Sequence, residues 1–442
     1  MKLTEHALFF PVLRLATNGS AALMSIHQRY GNLVAVRFIN KKFLFITKPE
    51  SIEQVFSQEA KGNANRDALH EAKKSMIGDG LASSKDETWT NQRRLMQPFF
   101  NKDTITVWQD VILADTQQIV ERLKADTTRE INITQEMKSL VQGIIARILF
   151  GQSVNDDEKH TLMANVDSII KGAVPVLMAD LLGKNWLKHL FFLQNARYKR
   201  AVNEFSGFVA RAVASDKQAE GLIAQLSRAR DKQSSYIMPE QLLKDEAITL
   251  FLAGQDTTIN TLVWFFYLLG KHSEIHEHIS AEIAAFRHEP LTADLLQKYA
   301  YTKAALQETL RRYPAGIGVS RNLSVDSINL DGHDIGRDTT LFVSLYATHH
   351  DPALWAKPNS FYPEHFVDPE QTAKRHRFAY LPFGGGIHNC IGRHLAELEM
   401  MLIIISLLRE FRFKTEMTVK TAVSITLKPD RDVFVKSVPI GK

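Results

Sequence analysis

One cysteine occurs in 442 residues, and it stands in a glycine-rich loop, Phe383-Gly384-Gly385-Gly386-Ile387-His388-Asn389-Cys390-Ile391-Gly392. With a single thiol, neither a disulfide framework nor a structural zinc site built on several thiolates is possible. The fold must be held by an apolar core, and a hydrophobic content of 45% is enough for a large one. The lone cysteine also suits a reducing compartment. Three consecutive glycines allow a backbone that other residues resist. Gly392 then leads into a helical run, Leu395 to Leu408. A thiol just before a helix N-terminus sees positive partial charge and free backbone N–H groups, and both favour thiolate over thiol.

A lone cysteine is ordinarily a small buried hydrophobe. The surrounding glycines argue against that here. A phosphate cradle is a second reading, but the Lys-Ser/Thr ending of a P-loop is absent. A thiol nucleophile is a third, but it needs a positioned histidine and a family signature, neither of which is visible. Phe383 and His388 flank the sulfur with an aromatic and a basic side chain. An anionic sulfur with N–H donors on it and water kept away is what a haem iron's thiolate ligand requires.

Length alone suggests about three domains. The pattern along the chain does not divide that way: Pro and Gly are scattered, no linker or repeat stands out, and no segment is of low complexity. Leu33 to Phe38 and Lys42 to Thr47 read as a hairpin. Pro49 opens a helix through Ile52, Val55 and Phe56. From about Thr88 to Leu310 the apolar spacing is mostly helical, with loops near Gly151, Asn155 and Asp231. The strongest helix runs from about Pro239 to Gly270. Strand-like runs return at Thr339 to Val343, Val423 to Leu427 and Val433 to Val435. The expectation is a mainly α architecture with small β-sheets, a single large domain over residues 1–442.

The net charge of +5 is mild for this length, and permits an acidic partner without indicating nucleic acid. Met1 to Thr17 lacks the form of a signal peptide: its apolar stretch, Ala7 to Leu13, is interrupted by Pro11 and followed by Arg14. No apolar run approaches the ~18 residues of a membrane span, and Met401 to Leu408 reads as a buried helix segment. A cytoplasmic protein is expected.

Inside the long helix lies Ala253-Gly254-Gln255-Asp256-Thr257-Thr258. A mid-helix glycine costs about 1 kcal/mol, and threonine hydroxyls can capture the i−4 carbonyl and loosen the helix. Stability given up in the middle of the longest helix points to function, although Gly254 also has a plain reading as a site of close packing. Glu308 and Arg311, at i and i+3, share a helix face. As a solvated pair they would contribute only a few tenths of a kcal/mol. Trp89 and Arg93, at i and i+4, share another face.

Taken together, these strings resemble the cytochrome P-450 superfamily, in its soluble bacterial form. Phe-x-x-Gly-x-His-x-Cys-x-Gly is similar to that family's haem-binding loop. Ala253 to Thr257 resembles its [Ala/Gly]-Gly-x-[Asp/Glu]-Thr string. Glu308 to Pro314 resembles its Glu-x-x-Arg helix, and Trp89 with Arg93 its Trp-x-x-x-Arg pair. The likeness covers nearly the whole chain and is weakest before residue 30 and between about 150 and 240.

The resemblance implies that Cys390 ligates the iron of haem b, with Phe383, Gly386 and Gly392 shaping the loop. Trp89, Arg93, Arg321 and His388 would meet the haem propionates. Thr257 would hydrogen-bond bound O2 and Asp256 relay protons. Splitting O–O needs two protons, which a carboxylate–hydroxyl pair can deliver. Glu308 and Arg311 would be buried with a third basic group. The family usually has Arg in a Pro-Glu-Arg-Phe string, whereas this chain has Pro363-Glu364-His365-Phe366, and imidazole is a weaker partner than guanidinium. The substrate pocket would draw on Met76, Ile77, Phe251, Ala253, Gly254, the segment Ala315 to Val319 with Ile317 and Val319, and Ile425. Those residues are apolar or small, which implies a hydrophobic substrate. Ala173 to Leu193 would be a lid, with Trp186, Leu187, Leu190, Phe191 and Phe192 as its core or as a contact to a membrane surface.

The implied function is a haem-thiolate monooxygenase that inserts one oxygen atom of O2 into an apolar organic substrate. A peroxide-driven oxygenase and a non-catalytic haem sensor are the alternatives, and the Asp256–Thr257 pair argues against both. No flavin or iron–sulfur motif is visible. Electrons from NAD(P)H are therefore expected through a separate ferredoxin or flavodoxin with its reductase, with Lys85, Arg94 and Arg393 as contacts. A monomer is expected.

Overall fold

The computed structural model describes residues 5–6, 9–38, 41–66, 70–125, 130–151, 165, 168–169, 192–215, 221–424 and 426–440. The longer helices are α1 (Phe9–Tyr30), α2 (Pro49–Ala60), α3 (His70–Ile77), α4 (Asp86–Met96), α5 (Gln109–Ala125), α6 (Ile133–Phe150) and α7 (Phe192–Ser215). They continue with α8 (Glu240–Lys271), α9 (Ser273–Ala285), α10 (Ala300–Arg312) and α11 (Arg393–Leu408). The helical body carries small sheets, as expected.

The largest sheet has the order β1-β2-β3-β9-β6-β4. Its strands are β1 (Glu5–His6), β2 (Leu33–Phe38), β3 (Lys41–Ile46), β4 (Ala64–Asn65), β6 (Val319–Leu323) and β9 (Thr339–Val343). The expected hairpin is β2–β3, antiparallel with Leu33 opposite Ile46. β9 then pairs parallel to β3, Lys42 to Thr339. Local pattern can specify the hairpin but not this long-range partner. A second sheet, β10 (Phe411–Lys414), β13 (Phe434–Pro439) and β5 (Glu130–Asn132), joins the chain end to the entry of α6. β7 (Ser327–Leu330) and β8 (His333–Gly336) form a hairpin.

Two strand expectations need correction. Val423 to Leu427 is not one strand: Val423 ends β11 (Thr421–Val423) and Leu427 opens β12 (Leu427–Pro429), which pair antiparallel. The Ser424 amide donates to the Thr426 carbonyl across that turn (3.0 Å). The last strand begins at Phe434 rather than Val433, and runs on to Pro439.

The long helix is α8, with Pro239 at its N-cap. Its C-terminal half is buried nearly all round, from Ile259 to Leu269. It therefore shows little amphipathic contrast, as expected of a helix through the centre of a body. Its middle is different. Ala253 is exposed, although Phe251 and Gln255 on either side are buried. Ala253 therefore faces open space rather than the packed core. α6 runs beside α8, and a Cβ on Gly254 would lie 3.0 Å from Ile145 Cδ1. Gly254 thus has a packing reason. Asn155 and the expected lid, up to Phe191, lie outside the described residues. Leu193 falls in the first turn of α7 with Phe192.

Candidate active site

The glycine triplet is shaped around α2. Gly386 has φ +72°, and a Cβ there would lie 2.4 Å from Glu59 Oε2 and 2.8 Å from Phe56 Cδ1. A Cβ on Gly385 would meet the Phe56 ring at 2.7 Å. Only glycine fits both the conformation and the space. The loop then closes on itself, as the Cys390 amide donates to the Phe383 carbonyl (2.9 Å).

Cys390 is solvent-accessible but walled by protein. Burial pushes its thiol above the ordinary range, while the Gly392 amide, Arg93 and Arg393 pull it down. Burial wins. The Gly392 amide at the helix start does favour the thiolate, but it and two partly solvated cations do not offset desolvation. A metal deprotonates a coordinating thiol outright.

The residues expected around the loop converge there. Trp89 packs its ring against His388 with centroids 4.0 Å apart. Arg93 donates from Nη1 to the Asn389 carbonyl (2.9 Å) and from Nη2 to Asn389 Oδ1 (2.8 Å). Arg321 donates to Glu59 through Nε (2.5 Å), and His388 Nδ1 meets the same carboxylate (2.5 Å). Sequence reasoning missed Glu59, which sits in the last turn of α2 and is 2% exposed. Burial opposes its charge, but His388 and Arg321 outweigh that and hold its carboxyl below the usual range.

In α8, the Thr257 hydroxyl donates to the Ala253 carbonyl (2.9 Å) and Thr261 to the Thr257 carbonyl (2.8 Å). The carbonyl capture expected of these hydroxyls is present, and the helix runs unbroken through it. Asp256 accepts from the Thr426 hydroxyl in the β11–β12 turn, and Asn260 Nδ2 donates to Thr426 Oγ1 (3.0 Å). Thr426 had no signal in the sequence beyond lying next to Ile425. The Leu427 amide donates to the Ala315 carbonyl (2.9 Å), so the segment after Pro314 and the C-terminal turn are tied together.

Of the expected pocket residues, Ala253 is exposed and Gly254, Ile317 and Val319 are half-buried, while Ile77 is buried. Met76 lies in α3, and Ile425 lies outside the described residues. Phe251 is a correction. It is 1% exposed and packs on Phe205 (5.3 Å) and Phe150 (6.3 Å), because its position on α8 faces α6 and α7. It belongs to the core.

Glu308 and Arg311 are fully buried and doubly bonded, at 2.8 Å from Nε and 2.7 Å from Nη2. Arg311 also donates to the carbonyls of His349 (2.5 Å) and Pro358 (3.0 Å). His365 Nδ1 faces Glu308 (3.1 Å) and its Nε2 faces the Ala356 carbonyl. Both ring nitrogens thus meet acceptors, and both donate only when the ring carries two protons. In that form it supplies the positive charge a guanidinium would. Arg375 lies over the Trp355 ring (4.2 Å) and donates to the His365 carbonyl (2.5 Å).

The profile of the cytochrome P-450 family matches residues 2–436. The chain belongs to the cytochrome P-450 family. It is similar to cyclooctat-9-en-7-ol 5-monooxygenase of Streptomyces melanosporofaciens, 27% identical over 87% of this chain and 83% of the relative. Cyclooctatin synthase of the same organism is 27% identical over 91% of this chain and 88% of its own length. As a P-450, the chain is an oxidoreductase of the monooxygenase type, using haem iron and O2. No helix among the described residues is long and apolar enough to cross a membrane.

Haem brings two carboxylates, and the electrostatics beside the P-450 loop fit them. Arg66 and Lys73, both missed by sequence reasoning, join Arg93 and Arg321 there. Burial and the neighbouring cations lower Arg66 to about 10 and Lys73 to about 8. Arg66 donates to the carbonyls of Leu81 and Ser84 (3.2 Å each) and lies over Trp89 (5.7 Å). Against these four cations stands the carboxylate of Glu59. An excess of half-buried positive charge is complementary to a dianion. Their sequence signal was weak: two basic residues just before the loop at Leu81.

Proposed function

We propose that this P-450 is a haem-thiolate monooxygenase that inserts one oxygen atom of O2 into a hydrophobic organic substrate, at a C–H or C=C bond. The observation that carries the reading is the convergence of Cys390, in a loop moulded on Phe56 and Glu59, with a cluster of four cations, three half-buried and Arg321 buried. Cys390 would hold the iron. Trp89, Arg93, Arg321 and His388 would face the propionates, joined by Arg66 and Lys73. Bound haem supplies the activation of O2, which a thiolate ligand favours.

The remaining work falls to side chains of the chain itself. The Thr257 hydroxyl and the Asp256 carboxylate hold and pass protons on the α8 side of the site. Thr426 fixes the attitude of Asp256. Ala253, Gly254, Ile317 and Val319 offer small or apolar surface, which suits a substrate bound by shape and burial. The name of one relative states oxidation of cyclooctat-9-en-7-ol at position 5, which supports a largely hydrocarbon substrate.

Electrons would come from NAD(P)H through a ferredoxin or flavodoxin with its reductase. Arg393 is exposed at the start of α11, and its partner Glu397 (3.1 Å) is itself partly exposed, so Arg393 stays a docking contact in this reading, with Lys85. Arg94 does not, because its guanidinium is tied to Asp231 (2.8 Å). One haem domain over residues 1–442, monomeric and cytoplasmic, completes the proposal.

The test is a reduced-plus-CO difference spectrum of the purified protein beside Cys390→Ser. A strongly red-shifted Soret band, lost in the variant, supports thiolate ligation. Ordinary haem–CO absorbance, or no haem in folded protein, overturns it.

A further inference from the structure

An acid in the last turn of a helix faces the negative end of the helix dipole, and burying a carboxylate is costly without partners. Glu59 carries both penalties. Its side chain is fully buried, in the final turn of α2. Its partners come from distant parts of the chain: Arg321 on β6, 262 residues away, and His388 on the cysteine loop, 329 residues away. Arg321 approaches side-on, with Nε at 2.5 Å from Oε1 and Nη2 at 3.3 Å from Oε2. Its Nη1 donates to the Ser320 carbonyl (2.8 Å). Of the guanidinium's five N–H groups, two remain for another acceptor. His388 is fixed on two sides, by Glu59 at Nδ1 and by the Trp89 ring. The glycine loop is shaped to admit this acid, since a Cβ on Gly386 would lie 2.4 Å from its Oε2.

We propose that Glu59 is a positioning residue of the haem pocket, holding Arg321 and the His388 ring in the attitude that meets the propionates. The inference rests on the haem-thiolate reading above. Glu59 touches neither the iron nor the substrate in this role. It acts through the two basic side chains, as an outer-shell carboxylate orients a ligand's donors. The opposite view, that Glu59 is merely a negative charge beside two others, predicts the opposite sign.

The experiment uses the holoenzyme loaded either with haem b or with haem b dimethyl ester, which lacks the propionate charges. Haem loss to excess apomyoglobin is followed in wild type and in Glu59→Gln. We expect the variant to lose haem b about tenfold faster than wild type, the scale of outer-shell effects, and to lose the ester within about twofold of the wild-type rate. Equal acceleration for both haems makes Glu59 a structural prop and overturns the proposal. Slower loss of haem b makes it a repelling charge, and an unchanged rate shows no role; each overturns it as well. Should Glu59→Gln fail to fold, ¹⁵N spectra of histidine-labelled wild type in the diamagnetic ferrous–CO state decide, with His388→Gln for assignment. A proton on His388 Nδ1 supports the contact and its absence overturns it. Failure of the haem reading itself is distinct, since wild type would then show no thiolate-type CO band with either haem.

Discussion

The carboxylate of Asp256 receives a hydrogen bond from the hydroxyl of Thr426, 170 residues further along the chain. The acid sits on the central helix and the hydroxyl in a turn of the C-terminal hairpin. Asn260, one helical turn after Asp256, donates to the same hydroxyl oxygen and so orients it toward the acid (3.0 Å). Asp256 is thus held by a segment that also reaches the region after Pro314.

Thr426→Val should release Asp256 without opening a cavity. The expected result is a partial loss of coupling. Peroxide released per electron pair should rise several-fold, less than in Thr257→Ala, where a general acid–base contribution of order 10² is at stake. Measuring peroxide and electron consumption with a surrogate ferredoxin checks this. Coupling equal to wild type would remove Thr426 from the proton machinery.

Glu308 and Arg311 form a fully buried pair whose other donors close on three backbone carbonyls. Arg311→Ala leaves a buried carboxylate short of partners, and should cost about 3–5 kcal/mol in denaturant unfolding. His365→Arg should be far milder, since it restores a permanent charge at the same carboxylate. A loss as large as that of Arg311→Ala would show that the imidazole has a shape role that a guanidinium cannot fill.

Stability should carry two opposite pH dependences. Burial opposes the Glu308 charge, but Arg311 and His365 outweigh it and hold its pKa below the ordinary value. Its contribution is therefore present above the unfolded pKa, near 4.5, and is lost as pH falls through the lower folded value. Glu246 behaves the other way. Burial, with Asp245 adding to it and the Leu81 amide opposing, raises Glu246 to about 8. The folded state keeps a proton that the unfolded chain has released, so stability declines between about pH 4.5 and 8. Glu246→Gln should flatten that decline and stabilise the protein by a few kcal/mol near pH 7.5. Urea titrations across pH 5 to 8 test it, and an unchanged slope would refute the assignment. Tyr236 and Asp245 also face this acid, and burial pushes both upward, with Glu246 adding to the shift of Tyr236 and Asp79 to that of Asp245.

Arg393 and Arg94 should respond differently to charge reversal. Arg393→Glu should slow electron transfer from an acidic partner and reduce its salt dependence. Arg94→Glu should act mainly on stability, because Arg94 anchors Asp231 and Ser234 to α4 (2.8 and 3.1 Å). Stopped-flow reduction at several ionic strengths separates the two. Equal kinetic effects would place Arg94 at the docking face after all.

Much was legible before any coordinates. The hairpin, the helix after Pro49, the long helix and the cysteine loop all follow from local periodicity, proline and glycine, which act within a few residues of themselves. The candidate residues carried by those motifs, Cys390, Asp256, Thr257, Trp89, Arg93, Glu308 and Arg311, stand out in the sequence because their spacing is itself a local signal. Phe251 misled because an apolar residue on a buried helix looks the same whether it faces a cavity or a neighbour. Only the packing of α6 and α7 against it places it in the core.

What the amino-acid sequence determined by itself was the hairpin, the main helices and the glycine-rich cysteine loop, since these depend on backbone preferences and short-range spacing. The tertiary structure decided how far-apart charges are shared. Glu59 has no motif around it, yet burial obliges it to find Arg321 and His388 across 262 and 329 residues. Thr426 meets Asp256 for the same reason, and Arg66 and Lys73 gather beside Arg321. A buried polar group must be paired wherever the chain brings a partner, and that pairing is a property of the folded arrangement rather than of any stretch of sequence.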